Sequence, residues 1–153
     1  MFGNINTSAS GLTAQRTRMD IIADNIANVN TTRTPEGGPY RRKLPVFRSR
    51  NQEDSTAFSS LIRGRMGDRT AQTGVEGKGV EISDIVEDDS PFKLVHDPEH
   101  PDANEEGYVE KPNVDITMEM VDMIDASRAY EANVNALETG KNMAMRALEI
   151  GGA

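Results

Sequence analysis

Chemistry could come from only a few places in this chain. His96, Asp97, Glu99 and His100 have the spacing of two imidazole ligands one helical turn apart with carboxylates between them, which would suit zinc. Pro98 and Pro101 exclude the helix that would bring both rings to one face, so the segment reads as a turn. Asp102, Asn104, Glu106 and Gly107 match the opening of a calcium loop, but its closing position, which needs a bidentate carboxylate, holds Asn113. Gly74, Gly77, Lys78 and Gly79 lack the spacing and the hydroxyl of a phosphate-binding loop and read as a glycine turn leading into a strand. Arg41, Arg42, Lys43, Arg48 and Arg50, interleaved with Tyr40 and Phe47, imitate a nucleic-acid patch, yet an acidic stretch of the same chain is the nearer counter-charge. The only two histidines share one Pro-bounded turn, and no acid, base and nucleophile constellation emerges around the serines. The residues therefore specify no catalytic group, no cofactor and no metal, and the chain reads as a protein that is not an enzyme.

What dominates instead is a pair of helical segments at the two ends. In the C-terminal one, Ile116, Met120, Met123, Ser127, Tyr130, Val134, Leu137, Lys141, Ala144 and Leu148 recur in steps of four and three, the period of a coiled coil, broken only at Ser127 and Lys141. In the N-terminal one, Ile5, Leu12, Met19 and Ile26 recur every seven residues and are joined by Ile22 and Val29. Such stripes must pack on each other, on other copies or on a partner. On this evidence a helical adaptor that binds one partner and a self-associating subunit stand level.

Composition supports the need for outside burial. Hydrophobic residues make up 36% of the 153, aromatics 5%, and there is no Trp, so the monomer's core is expected to be lean. The net charge of -8 argues mildly against nucleic acid and anionic membranes as partners of the whole chain. Its distribution is dipolar: residues 33–69 are mainly basic and residues 76–110 mainly acidic, a pattern able to pair within one subunit or head to tail between subunits. There is no Cys, hence no disulfide or thiol chemistry. The first thirty residues have neither the basic nor the apolar region of a cleaved signal peptide, and no run is long enough to span a membrane.

The punctuation predicts an α+β, mainly α, protein. A helix is expected from about Asn4 or Asn6, whose side chains offer caps, to Asn28, where Asn28, Asn30, Thr31 and Thr32 lead to Pro35, Gly37, Gly38 and Pro39. Short strands are expected around Tyr40 to Val46, with Pro45 confining the first to a sheet edge, over Val80 to Val86, where the alternation slips at Ile85 as at a bulge, and over Phe92 to Val95. Turns at Pro98, Pro101 and Gly107 precede Tyr108 and Val109. Pro112 and Asn113 then open the C-terminal helix, which runs from about 114 to 150 and is closed by Gly151 and Gly152. The division is thus a helical unit, 1–32 with 112–153, and a small β-rich middle unit, 33–111, with a flexible loop at about 49–73.

Three further features concern packing. Ala132, Ala136, Gly140 and Ala144 form a row of small residues that would let a neighbouring helix come close. Met118, Met120, Met123, Met143 and Met145 are most simply adaptable core filling, the alternative being a surface that accepts neighbours in differing environments. Asn30 suits helix termination, whereas Asn25, inside the stripe segment, suits a hydrogen bond between helices that specifies register.

The terminal residues also carry a resemblance. Ser10-Gly-Leu-Thr-Ala-Gln-Arg-Thr-Arg-Met19, running into Ala23-Asp-Asn-Ile-Ala-Asn-Val-Asn-Thr31, resembles the N-terminal helix of the bacterial flagellar axial proteins. Ser127-Arg-Ala-Tyr-Glu-Ala-Asn-Val134 with Ala136, Leu137 and Lys141 resembles their C-terminal helix. Within that family, Asp88-Asp-Ser-Pro-Phe-Lys93, Asp97-Pro-Glu-His-Pro-Asp-Ala103, Gly107-Tyr-Val-Glu-Lys-Pro-Asn-Val114 and Glu119-Met-Val-Asp-Met-Ile124 are similar to the proximal-rod subunits of the basal body; residues 49–73 match nothing specific.

The resemblance implies a structural subunit without catalytic activity, polymerising through paired terminal helices that line the rod of the motor drive shaft and transmit torque. It implies export through the flagellar type III apparatus without signal cleavage, a place in the periplasmic rod, and other copies, FlgB, FliE and FlgF as neighbours. The assembly interface it suggests takes in Ile5, Leu12, Met19, Ile22, Asn25, Ile26 and Val29 of the first segment. In the second it takes in Ile116, Met120, Met123, Tyr130, Asn133, Val134, Leu137, Gly140, Ala144 and Leu148.

Overall fold

The computed structural model describes residues 2–50 and 79–151, so the loop expected at 49–73 lies, past Arg50, outside the described residues, as do Gly74, Gly77 and Lys78. The elements are α1 (Phe2–Ala27), β1 (Lys43–Ser49), β2 (Val80–Glu87), β3 (Lys93–His96), β4 (Tyr108–Lys111) and α2 (Ile116–Gly151). This is the expected α+β class: two long terminal helices and a small β region between them.

Helix α1 begins at Phe2, ahead of the asparagines expected to cap it, which therefore sit inside its first two turns. Its many hydroxyls do not unwind it, because Thr7, Thr13 and Thr17 each donate back to the carbonyl four residues earlier, at 3.0, 3.2 and 3.1 Å. The helix stops where expected. Asn28 caps it by donating from both its backbone N and its Nδ2 to the Asp24 carbonyl, at 3.1 and 2.9 Å, and Thr31 N turns back to the Asn28 carbonyl.

Strands β1 and β2 form an antiparallel two-stranded ribbon, so Pro45 does lie in an edge strand. Their register shifts between Val46, opposite Asp84, and Phe47, opposite Ile82. Ser83 is the extra residue, and the bulge falls where the apolar alternation of the sequence slips. The ribbon's far end is closed by Arg50 N donating to the Gly79 carbonyl at 3.0 Å. Gly79 has φ of +97°, and a Cβ there would collide with Ser10 Oγ. That hydroxyl accepts from Val80 N at 3.0 Å and donates to the Thr7 carbonyl at 2.7 Å, fastening β2 to α1. Tyr108 and Val109, expected only to follow turns, open a fourth strand that pairs with β3 from His96 opposite Tyr108 to Lys93 opposite Lys111.

Helix α2 is capped by Asp115, two residues later than the expected Asn113. Asp115 Oδ1 accepts from Thr117 N and Met118 N at 2.9 and 3.4 Å, and these backbone bonds, with Lys93 nearby, hold its carboxyl below the usual carboxylate range. Asn113 instead ties the linker down: its Oδ1 accepts from Arg42 N at 2.8 Å and its Nδ2 donates to the Asp88 carbonyl at 3.0 Å.

The helices pack antiparallel. Ile5 meets Gly140, Gly11 meets Asn133, Arg18 meets Asp122 and Asn25 meets Glu119, one index rising as the other falls. With 36 residues against 26, α2 runs past the start of α1 by roughly two turns, about 12 Å. The buried apolar core is as lean as composition suggested: Ala14, Ile21, Ile22, Tyr40, Val109, Val114 and Ala126. Among the described residues no helix is long and apolar enough to cross a membrane.

Candidate assembly interface

The best-defined constellation of the molecule is polar and structural. Asn25, only 1% exposed, uses its whole amide: Nδ2 donates to the Lys43 carbonyl at 2.9 Å and to Glu119 Oε2 at 3.1 Å, while Oδ1 accepts from Lys43 N at 2.9 Å and from Tyr40 Oη at 3.0 Å. Glu119, also 1% exposed, receives Arg42 Nε on its other oxygen at 2.5 Å. Arg42 continues to Asp122 at 3.2 Å and Asp88 at 3.9 Å, and Asp122 is shared with Arg18 at 2.9 Å. Burial, with Asp24, Glu119 and Glu87 nearby, pushes the Tyr40 phenol up, so it stays a neutral donor. The side-chain and backbone bonds from Ser90, and then Arg42 and Arg41, pull the Asp88 carboxyl down. A buried carboxylate is tolerable only when fully partnered, and Glu119 is. This node joins α1, α2, β1 and the linker after β2.

Asn25 thus makes the inter-helix hydrogen bond its position suggested, within one chain. The sequence reading missed its companions Arg18, Tyr40, Arg42, Glu119 and Asp122. One signal was available: Glu119 is an acid seven residues before Ala126 and fourteen before Asn133, on what proves to be the close-packed line of α2.

The apolar stripes lie near that line rather than on it. On α1, Gly11 and Asn25, seven-residue positions with Arg18 between them, make the close contacts with α2, while Ile5, Leu12, Met19, Ile26 and Val29 are half-buried one position along and Ile22 is buried. A Cβ on Gly11 would lie 2.9 Å from Asn133 Oδ1, so the small residue is what admits the opposing side chain. On α2, Glu119 and Ala126 are the buried residues. Met123, Tyr130, Asn133, Val134, Leu137, Gly140 and Ala144 are half-buried, and Ile116, Met120 and Leu148 are exposed. Of the small row, Gly140 faces Ile5 of α1, whereas Ala132 and Ala136 are exposed.

The methionines correct the simpler expectation. Of the five in that cluster only Met123 is half-buried; Met118, Met120, Met143 and Met145 are exposed, so they do not fill this chain's core. The exposed large apolar residues of α2 fall in two groups, Ile116 to Ile124 at its start and Met143 to Ile150 at its end, with Leu148 76% and Ile150 81% exposed.

The residues considered for chemistry are otherwise engaged. His96 packs edge-on against Tyr108 at 5.1 Å, and His100 Nδ1 accepts from Asp102 N at 3.1 Å. Asn104 Oδ1 accepts from Glu106 N and Tyr108 N, at 3.0 and 2.8 Å, spending the oxygen a calcium loop would need. Among the described residues no group of three or more His, Asp or Glu is placed to hold a metal. Three of the five residues of the basic run are met within the chain: Arg42 in the node, Arg48 by Glu81 at 2.8 Å, and Arg41 over the Phe92 ring at 4.4 Å.

Comparison with known proteins follows this anatomy. The model of a family described as flagella basal body rod protein matches residues 5–33, covering most of α1 and the turn after it. A second, the C-terminal part of flagellar basal body rod FlgEFG proteins, matches residues 105–150, covering β4 and α2. The flagellar basal-body rod protein FlgC of Bacillus subtilis is 50% identical over 98% of this chain and 97% of its own length. That of Borreliella burgdorferi is 46% identical over 98% and 97%, and that of Salmonella typhimurium 37% over 94% and 92%. Identity at this level along nearly the whole length of both chains, through helices, ribbons and linkers alike, means that this chain belongs to the FlgC family of flagellar basal-body rod proteins.

Proposed function

We propose that this chain, whose family gives it a structural role in the basal-body rod, polymerises through its terminal helices as a proximal-rod subunit and transmits torque within the motor drive shaft. The observation that carries this reading is the pair of exposed apolar groups at the two ends of α2, on a chain whose own core is lean. Surfaces such as Ile116, Met120 and Leu148 gain most when helices of neighbouring subunits cover them, and exposed Ala132 and Ala136 let those helices come close. In this reading residues 1–32 and 112–153 form the inner helical unit and 33–111 the outer one. Asn25 contributes from inside by holding the pair in register. Family membership supports other copies, FlgB, FliE and FlgF as neighbours, export by the flagellar type III apparatus without signal cleavage, and a periplasmic location in the basal body.

The test replaces the chromosomal copy by Val134→Asp or Leu137→Asp. Motility and recovery of the chain in purified basal bodies should both be lost, while the β region, followed by the NMR signals of Tyr40 and Val109, stays folded. Unimpaired motility would sink the proposal, and a chain recovered with one partner but never in basal bodies would favour a non-polymerising adaptor.

A further inference from the structure

We infer that the projecting end of α2 seats in an acidic groove at the opposite end of a second copy of this chain, making a head-to-tail contact between the helix of one and the β region of the other. The groove lies between the turn after α1 and the β3–β4 hairpin. It measures about 400 Å³, and Arg33, Pro39, Leu94, Asp102, Tyr108 and Glu110 are among its lining. Leu94 pairs with Glu110 and His96 with Tyr108, which puts these side chains on one face of the hairpin, while Val109, on the other face, is buried. The walls are held in place before any ligand arrives: Thr32 Oγ1 donates to Asp102 Oδ2 at 2.7 Å, joining turn to hairpin. Lys93 Nζ donates to the Val114 carbonyl at 3.0 Å, setting the hairpin beside the start of α2. Leu94 is 65% exposed, so the groove offers an apolar seat ringed by carboxylates. Residues 97–110 carry Asp97, Glu99, Asp102, Glu105, Glu106 and Glu110 and no Lys or Arg, and Arg33 is the one cation among the described residues of the lining. Such a site takes a group that is both apolar and cationic.

The end of α2 has that chemistry. Lys141, Met145 and Leu148 follow one another at i, i+4 and i+7, and Arg146 and Ile150 at i and i+4, so each exposed apolar line carries a cation. Glu149 is the one acid of this stretch. The side chains of Glu110, Lys141 and Arg146 meet no partner among the described residues. They cannot meet one another within a chain. The groove sits beside the start of α2, and the helix then runs unbroken for 36 residues, which puts the two surfaces about 50 Å apart. Matched charge on surfaces that one chain cannot join is what selects a second copy as the occupant. Two different patches at opposite ends of a long axis make a heterologous contact, which builds an open chain in which each copy advances by about the same 50 Å. The contact deepens the rod reading above and rests on it for its place in the basal body; the complementarity of the two surfaces does not depend on it.

The chain has no Cys, so an introduced disulfide reports the contact without background. Full-length Leu94→Cys and Ile150→Cys chains, purified and oxidised with diamide, should give a cross-linked dimer when mixed and about tenfold less from either alone. A chain carrying both changes should give a ladder of dimers, trimers and larger species, as a heterologous contact requires. Arg146→Glu or Glu110→Arg, added to the mixed pair, should each cut the yield about tenfold, and the two together should restore it to within about threefold. Both positions are exposed, so the variants should keep the far-ultraviolet dichroism of the unmodified chain. No mixed dimer at the highest soluble concentration overturns the contact. So does an Ile150→Cys homodimer as abundant as the mixed one, an internal disulfide in the doubly substituted chain, or charge reversals that change nothing. In basal bodies from cells expressing both single variants the same mixed dimer is expected, and chains that stay uncross-linked there show that the groove holds a different occupant. Absence of the unmodified chain from basal bodies would instead overturn the rod reading and leave the solution result standing.

Discussion

The two ends of the helix pair are built on opposite principles. Around Asn25, buried charge and a saturated amide hold α1, α2, β1 and the linker after β2 together through directional bonds, beside most of the buried apolar core. At the far end there are glycines, alanines and exposed methionines, and α2 projects past α1 with its largest apolar residues in the open. Directional polar contacts specify a single arrangement, because an unmade bond in a buried site is costly. Small-residue packing and flexible thioethers specify little and accept several partners. A subunit that must keep its own shape while joining others needs both; on α2 the exposed group from Ile116 to Ile124 surrounds the polar node, and the group from Met143 to Ile150 lies beyond it.

Several measurements would break or sharpen that contrast. The largest effect should come from the polar node: Arg42→Met, which strands the Glu119 carboxylate, should lower unfolding free energy by about 3–5 kcal/mol in urea titration. A loss below about 1 kcal/mol would mean that Glu119 finds water and that the two ends are alike. Next comes Gly79→Ala, which puts a Cβ against Ser10 on a left-handed backbone and should cost about 1–3 kcal/mol by the same assay.

A smaller effect belongs to acid. Asp88 and Asp115 are both depressed in the folded chain, so their contribution is fully present above the ordinary carboxylate value of 3.8 and is lost as pH falls through their lower folded values. Thermal melts should weaken on that limb, and Asp115→Asn should flatten it. Tyr40 has the opposite sign: its contribution is present below 10.0 and fades as pH rises through its raised folded value. The smallest effect on stability should come from the far end, where Leu148→Asp should change it by less than about 0.5 kcal/mol, since nothing is buried there to lose. The same change should nevertheless remove the chain from purified basal bodies; normal incorporation would show that the exposed tail is not an assembly surface.

Much of this was legible in the residues. The periodicity of the two ends, the Asn and Pro-Gly punctuation after α1, and the slipped alternation from Val80 to Ile85 determined two helices, the stop of the first and a bulged ribbon, because each reflects chemistry within a few residues of itself. The prolines around His96 and His100 ruled out a helical ligand pair for the same local reason, and the family motifs were present as plain text. Tertiary structure alone decided which line of each helix is the seam. At about 100° per residue an apolar stripe defines a face only to within one position, and the closest approach went to Gly11, Asn25, Glu119 and Asn133, chosen by size and hydrogen-bonding capacity rather than hydropathy. It likewise decided that Arg42 belongs to Glu119, 77 residues away, since among many cations and more acids no local pattern says which pair will be buried together.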